Sequence, residues 1–191
     1  MSNRYDPNAE KEGAQGPFFR GDDAESVTEF IIRSREMTRA KLEEIRSRNP
    51  GMEIQPIRLP EIPSFRMTRR LVGEYSLCGS DVHRWFDDAI GLTGDWRQPG
   101  PVYAMPMRSI RGVANRNLLA AGRCISADKT AWDVTRAIPG CAMTGEAAGT
   151  AAALSVQQFG GDVHALPVDI LQRQLTRQGG LIDPELVKPA E

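Results

Sequence analysis

The stretch Asn117-Leu118-Leu119-Ala120-Ala121-Gly122-Arg123, with the run Cys141 to Leu154 that follows it, decides how this chain is read. Asn117 to Gly122 is a short, wholly apolar run ending in glycine. That pattern predicts a strand buried on both faces, as in a helix-covered parallel sheet. Asp128 to Gly140 reads as a loop with one aromatic, Trp132. Cys141 to Phe159 then reads as a helix, closed by Gly160-Gly161. Gly145, Gly149 and Ala153 stand four apart, which draws a flat stripe along it. Such a stripe lets a helix lie close to another backbone or to a flat ligand. A strand end delivering the chain to a helix start is also an anion-facing arrangement, because the helix N-terminus presents unpaired N–H groups and a partial positive charge.

Working outward, residues 1–22 are polar and rich in Gly, Pro and Asp, with Phe18-Phe19 as the apolar exception, and predict a mobile arm. Ser26 to Arg48 has helical periodicity. Val27, Phe30, Ile31, Leu42 and Ile45 share one face, Ser26 and Glu29 have capping-box spacing, and Glu29–Arg33 and Arg39–Glu43 stand one turn apart. Pro56, Pro60 and Pro63 make the next stretch an extended linker. Arg66 to Leu77 alternates as a strand does, with Leu71, Gly73, Tyr75 and Leu77 on one side. Asp81 to Ile90 is ambiguous, Gly91 to Pro101 reads as a turn-rich loop, and Val102 to Met107 as a short edge strand interrupted by Pro106. A last amphipathic helix runs from Val168 to about Gln178 with Leu171 and Leu175 inward.

The whole chain has 191 residues, 40% hydrophobic and 26% charged, with a formal net charge of -1. That balance suits a soluble globular protein and argues against nucleic acid as a partner. No apolar run is long enough to span a bilayer, and the polar start from Met1 lacks the core of a secretory signal, so a gene product of its own in the cytoplasm is expected. Cys78, Cys124 and Cys141 form no CxxC pair, and only His83 and His164 could join them. Reduced, buried thiols and no metal are therefore expected. His83 with Asp81 and Asp87 reads as a solvated loop, and Trp96 and Trp132 as packing residues. The sequence shows no internal repeat.

The string from Asn117 to Asp128, together with Thr135 to Ser155, resembles the carboxy-terminal signature of FAD-dependent oxidoreductases related to the glutathione-reductase and succinate-dehydrogenase flavoprotein group. Arg66 to Val82 and the closing Leu171 to Ile182 resemble further segments of that family, in the family's order. The resemblance covers about residues 65–182. It implies an α/β fold, α+β for the chain taken alone. Residues 113–183 would be the last strand and helix of an FAD-binding Rossmann-like domain, and 64–112 part of a β-rich substrate region. Before them come the arm (1–22) and the helix with its Pro-rich linker (23–63); a tail (184–191) follows.

The resemblance further implies that Gly122 and Arg123 lie beside the ribityl and phosphate part of FAD. Pro139, Gly140, Cys141, Ala142, Met143 and Thr144 would bring backbone N–H groups to the pyrimidine edge of the flavin. Gly145, Ala148 and Gly149 would pack the helix against the nucleotide-binding unit. Arg69 and Arg70 are weak candidates for holding an anionic organic substrate. A complete family member also carries a G-x-G-x-x-G turn for the pyrophosphate. No such turn occurs in these residues. The expectation is therefore a subunit that shares FAD with a partner chain carrying the amino-terminal half. A non-catalytic interaction module, a truncated fragment, and a phosphate-binding α/β domain using the Cys141 helix start are the alternatives.

Overall fold

The β-rich part reduces to one antiparallel hairpin. In the computed structural model, which describes residues 19–58 and 68–189, strand β1 (Ala89–Gly94) pairs with β2 (Val102–Pro106). The register runs Leu92 to Ala104, Thr93 to Tyr103 and Gly94 to Val102, then slips by one residue before Ala89 meets Pro106. The slip brackets Ile90 and Gly91, as a β-bulge does. β1 therefore occupies the first part of the expected 91–101 loop. Pro106 ends β2, where its missing N–H costs no ladder bond.

The chain divides into two units, Met1–Arg69 and Arg70–Glu191. The boundary expected near residue 112 falls inside the second. In the first unit, α1 (Ala24–Arg48) is the expected helix with a different cap. The Asp23 carboxylate, not Ser26, accepts the Ser26 N–H at 2.8 Å, while the Ser26 hydroxyl accepts the Arg20 N–H. An aspartate also suits the positive helix start. Phe30 is buried, with the Phe19 ring edge-on at 5.5 Å, but Ile45 is exposed. The expected Glu29–Arg33 pair forms, whereas Glu43 pairs with Arg46 one turn on instead of with Arg39. Residues 1–18 of the expected arm and 59–67 of the linker lie outside the described residues.

In the second unit, Arg70 to Leu77 has the expected alternation, but its hydrogen bonds are isolated bridges, Gly73 to Gly112 and Leu77 to Ala127. Three helices follow. The first, α2 (Lys129–Thr135), stands where a loop was expected; Asp128 caps it by accepting the Ala131 N–H at 2.7 Å. The second, α3 (Ile138–Gln158), starts three residues before Cys141, with Pro139 in its first turn, where a missing N–H is harmless. The third, α4 (Val168–Arg177), buries Leu171 and Leu175 as expected and ends at Gly179, whose φ of +93° suits only glycine.

α3 packs on β1 and α4 through Gly140, Thr144, Ala147, Ala151 and Ser155. Around this line Met105, Met107, Ile110, Ile125 and Val134 are fully buried. Each such side chain stabilises the fold by about 1.5–3 kcal/mol before entropy is subtracted. The expected strand at 117–121 is not a buried strand. Leu118 is 45% exposed, and the run makes one bridge, Arg111 to Leu119, with the Ala120 N–H bonded to the Ile110 carbonyl. A strand needs neighbours on both edges to be buried in a sheet, and the described residues hold no parallel sheet for it to enter. The architecture is mixed helix and strand, consistent with α/β.

Candidate functional site

The turn after this run is where the sequence-identified residues meet. Gly122–Cys124 form a single tight turn, with Gly122 at φ +67°. A Cβ on Gly122 would lie 3.2 Å from the Cys141 Sγ, so both space and backbone call for glycine. The buried Gly122 N–H donates to the Thr144 hydroxyl at 2.9 Å, and that hydroxyl donates to the Gly140 carbonyl at 2.8 Å. The Trp132 indole N–H donates to the Arg123 carbonyl at 3.1 Å, which ties the same turn to α2. Gly140 is confined in turn, because a Cβ there would lie 3.0 Å from the Thr135 carbonyl oxygen. The end of α2, the Gly122 turn and the first turn of α3 thus form one interlocked corner.

The early start of α3 changes which N–H groups are on offer. Only the first residues of a helix lack an intrahelical acceptor. The Ala137 N–H bonds Val134 and the Cys141 N–H already bonds Ala137. Pro139 has no N–H, so Ile138 and Gly140 hold the unspent donors. Cys141, Ala142, Met143 and Thr144 spend theirs inside the helix. The Met143 thioether points to β1, where a Cβ on Gly91 would come within 2.4 Å of its Cγ. Pro139, Ala142 and Arg123 are exposed, and the Arg123 guanidinium has no hydrogen bond or ion pair among the described residues.

The small-residue stripe turns outward. Gly145, Gly149 and Ala153 are exposed, and a Cβ on either glycine meets nothing within 4 Å. Val156 is 71% and Ile138 86% exposed on the same helix. Arg69 and Arg70 are exposed, and Arg70 makes only long bonds of 3.3 and 3.4 Å to the Ser126 and Ser76 hydroxyls.

Several features were missed in the sequence. Asp81 is 1% exposed, not in a solvated loop. It accepts from the Tyr75 hydroxyl at 2.8 Å, the Cys78 N–H at 2.9 Å, the Cys78 thiol and Arg84. Burial alone would raise the Asp81 pKa, but these donors hold it below the usual carboxylate value. Burial and that carboxylate push the Tyr75 phenol up to about 12. His83, at φ +59°, donates from Nδ1 to the Val187 carbonyl at 2.7 Å and anchors the chain end. None of the three thiols is fully buried and Cys124 is exposed, which corrects the expectation of buried cysteines. The described residues contain no cluster of three metal-ligating side chains and no helix long and apolar enough to cross a membrane. Trp96 is 60% exposed, and the Arg136 guanidinium lies within cation–π reach of it and of the buried Trp132.

A family model described as FAD dependent oxidoreductase matches residues 3–175. The chain belongs to the FAD-dependent oxidoreductase family. The match begins well before residue 65, where the resemblance read from the sequence started, so it takes in α1 as well. No curated protein and no solved structure matches the chain. Membership implies FAD as the cofactor and redox chemistry as the activity. The donor set at the corner is of the kind an anionic cofactor needs: the Ile138 and Gly140 N–H groups have no acceptor among the described residues, and the nearby turn carries the exposed Arg123.

Proposed function

We propose that this chain completes the FAD site of a split, heteromeric flavin oxidoreductase, with a partner chain supplying the G-x-G-x-x-G unit that receives the pyrophosphate. In this reading Gly122 and Arg123 adjoin the ribityl and phosphate portion, and the N–H groups of Ile138 and Gly140 face the pyrimidine edge of the flavin. When bound, FAD supplies the hydride or electron transfer to and from a small organic substrate. The chain's own residues orient it, and its donors at the pyrimidine edge favour the negative charge that reduction brings.

The observation that carries the reading is the bare face of α3. Ala142, Gly145, Gly149, Ala152, Ala153 and Val156 follow one another at helical spacing, and all are exposed. A face this flat, on a helix of 21 residues, lets another backbone approach closely. The 117–121 run, bonded along one edge only, fits the same missing neighbour. Both are what an absent nucleotide-binding half would cover.

Co-expression with a chain bearing the G-x-G-x-x-G turn tests this. The expected product is a yellow complex that releases FAD on denaturation. A stable complex that stays colourless after gentle purification with FAD in the buffer contradicts it and favours a non-catalytic module.

A further inference from the structure

Two indoles and one guanidinium stand immediately before α3. Arg136 closes α2, its N–H bonded to the Trp132 and Val134 carbonyls. Its guanidinium carbon lies 5.0 Å from the Trp132 ring centre and 5.6 Å from that of Trp96, within cation–π reach of both. Its Nε donates to Asp133 Oδ1 at 3.0 Å, and Arg97 reaches Oδ2 of the same carboxylate at 3.7 Å. Arg97 is itself held by the buried Asp95 through two short bonds. The Trp96 indole N–H donates to the Asp133 carbonyl at 2.8 Å. On the main-chain side, the Arg136 carbonyl accepts from the Cys141 thiol at 3.4 Å.

The charges in this cluster cancel: Asp95 and Asp133 against Arg97 and Arg136. Its contribution to a bound anion is therefore geometry more than field. One residue links the loop after β1, the end of α2 and the first turn of α3, and Ile138 follows it by two positions. Reaching two indole rings while donating from both Nε and a terminal nitrogen to Asp133 Oδ1 calls for the broad, multi-donor guanidinium, which the point charge of lysine does not reproduce.

We propose that Arg136 is a positioning residue of the flavin site, fixing the direction in which the first turn of α3 presents the Ile138 and Gly140 N–H groups. The ligand in this proposal rests on the split-flavin reading; the effect on α3 does not. The test therefore has two arms, each run on Arg136→Lys and on Trp96→Leu, which removes one ring and leaves the Arg136–Asp133 pair.

In the full chain alone, amide hydrogen exchange at Cys141 to Thr144 should quicken at least about tenfold, with Leu171 and Leu175 of α4 unchanged. In the complex with the G-x-G-x-x-G chain, the FAD dissociation constant should rise about tenfold, the loss of about one hydrogen bond to a charged acceptor, and the flavin potential should become more negative. Unchanged exchange at the first turn overturns the proposal. So does a uniform rise through the whole second unit, the mark of a merely structural residue. Local quickening with unaltered FAD affinity and potential in a yellow complex overturns it too. A colourless wild-type complex contradicts the split-flavin reading instead, and leaves the exchange arm to decide whether Arg136 aims the helix.

Discussion

The Gly122 N–H and the Thr144 hydroxyl meet at 2.9 Å in a fully buried contact that joins the end of the 117–121 run to the inner face of α3. Thr144→Val keeps the shape and removes the acceptor. The N–H is then buried without a partner, at a cost of about 1–3 kcal/mol. Thr144→Ser retains the acceptor and should lose less. Urea unfolding of the full chain followed by tryptophan fluorescence would measure both. Equal losses for the two variants would mean that the methyl group, not the hydrogen bond, holds the corner.

A second prediction concerns Gly91 and Met143. A Cβ on Gly91 would lie 2.4 Å from the Met143 Cγ, so Gly91→Ala must displace that side chain or the β1 bulge. We expect a loss of about 1–3 kcal/mol, as for other overpacked cores. In a Met143→Ala background the same change should cost clearly less, because the clash is gone and only backbone strain remains. The pair forms a double-mutant cycle, and strict additivity would show that the two side chains do not meet.

How much of this was legible in the sequence differs from element to element. Leu171 and Leu175 announced α4 because helical spacing was the only pattern present and the glycines after it were unambiguous. α2 was missed although Asp128 carries a cap, since seven residues with one tryptophan give too little periodicity to set against the flanking turns. Asn117 to Gly122 read as a buried strand because a short apolar run ending in glycine has that composition, whereas its pairing, one bridge from Leu119 to Arg111, is set by tertiary contacts that composition does not carry. The Gly145 stripe was recognised, but whether it faced inward or outward depends on tertiary packing. The family resemblance put Gly122 beside the ribityl and phosphate part of FAD and Cys141 and Thr144 at the pyrimidine edge; that these residues touch one another is a tertiary contact no local pattern announces. Arg136 escaped notice because its partners, Trp96 and Trp132, stand 36 positions apart and no local pattern links them.

The Tyr75–Asp81 pair predicts the pH response. Asp81 has a folded pKa below its unfolded value, so its contribution is present above about pH 4 and is lost as the pH falls through the depressed folded value. Tyr75 has the opposite sign: its contribution is complete below about pH 10 and is lost as the pH rises toward 12. Asp81→Asn should flatten the acid limb of the stability curve, and Tyr75→Phe the alkaline limb. Thermal melts from pH 2.5 to 12 would show this. An acid limb unchanged in the asparagine variant would exclude Asp81 as its source.

Substitutions on the bare face of α3 should separate stability from assembly. Gly149→Ala places a methyl group in open space on a helix and should stabilise the full chain by up to about 1 kcal/mol. Gly149→Leu should leave the chain at least as stable as wild type but abolish its binding to the G-x-G-x-x-G chain, because the close approach is blocked. A melting curve and a pull-down on the same preparations give both readouts. Undiminished pull-down by the leucine variant would move the interface away from this helix.

The central claim is that FAD is held jointly by this chain and a second one. Its most direct measurement is a titration of FAD, followed by visible absorbance and flavin fluorescence, into each chain alone and into their mixture. The account predicts weak or no binding by this chain alone, and tight, saturable binding with quenched fluorescence in the mixture. Flavin bound as tightly by the partner alone as by the mixture, with no effect of Gly122→Ala or Arg123→Ala, would contradict it.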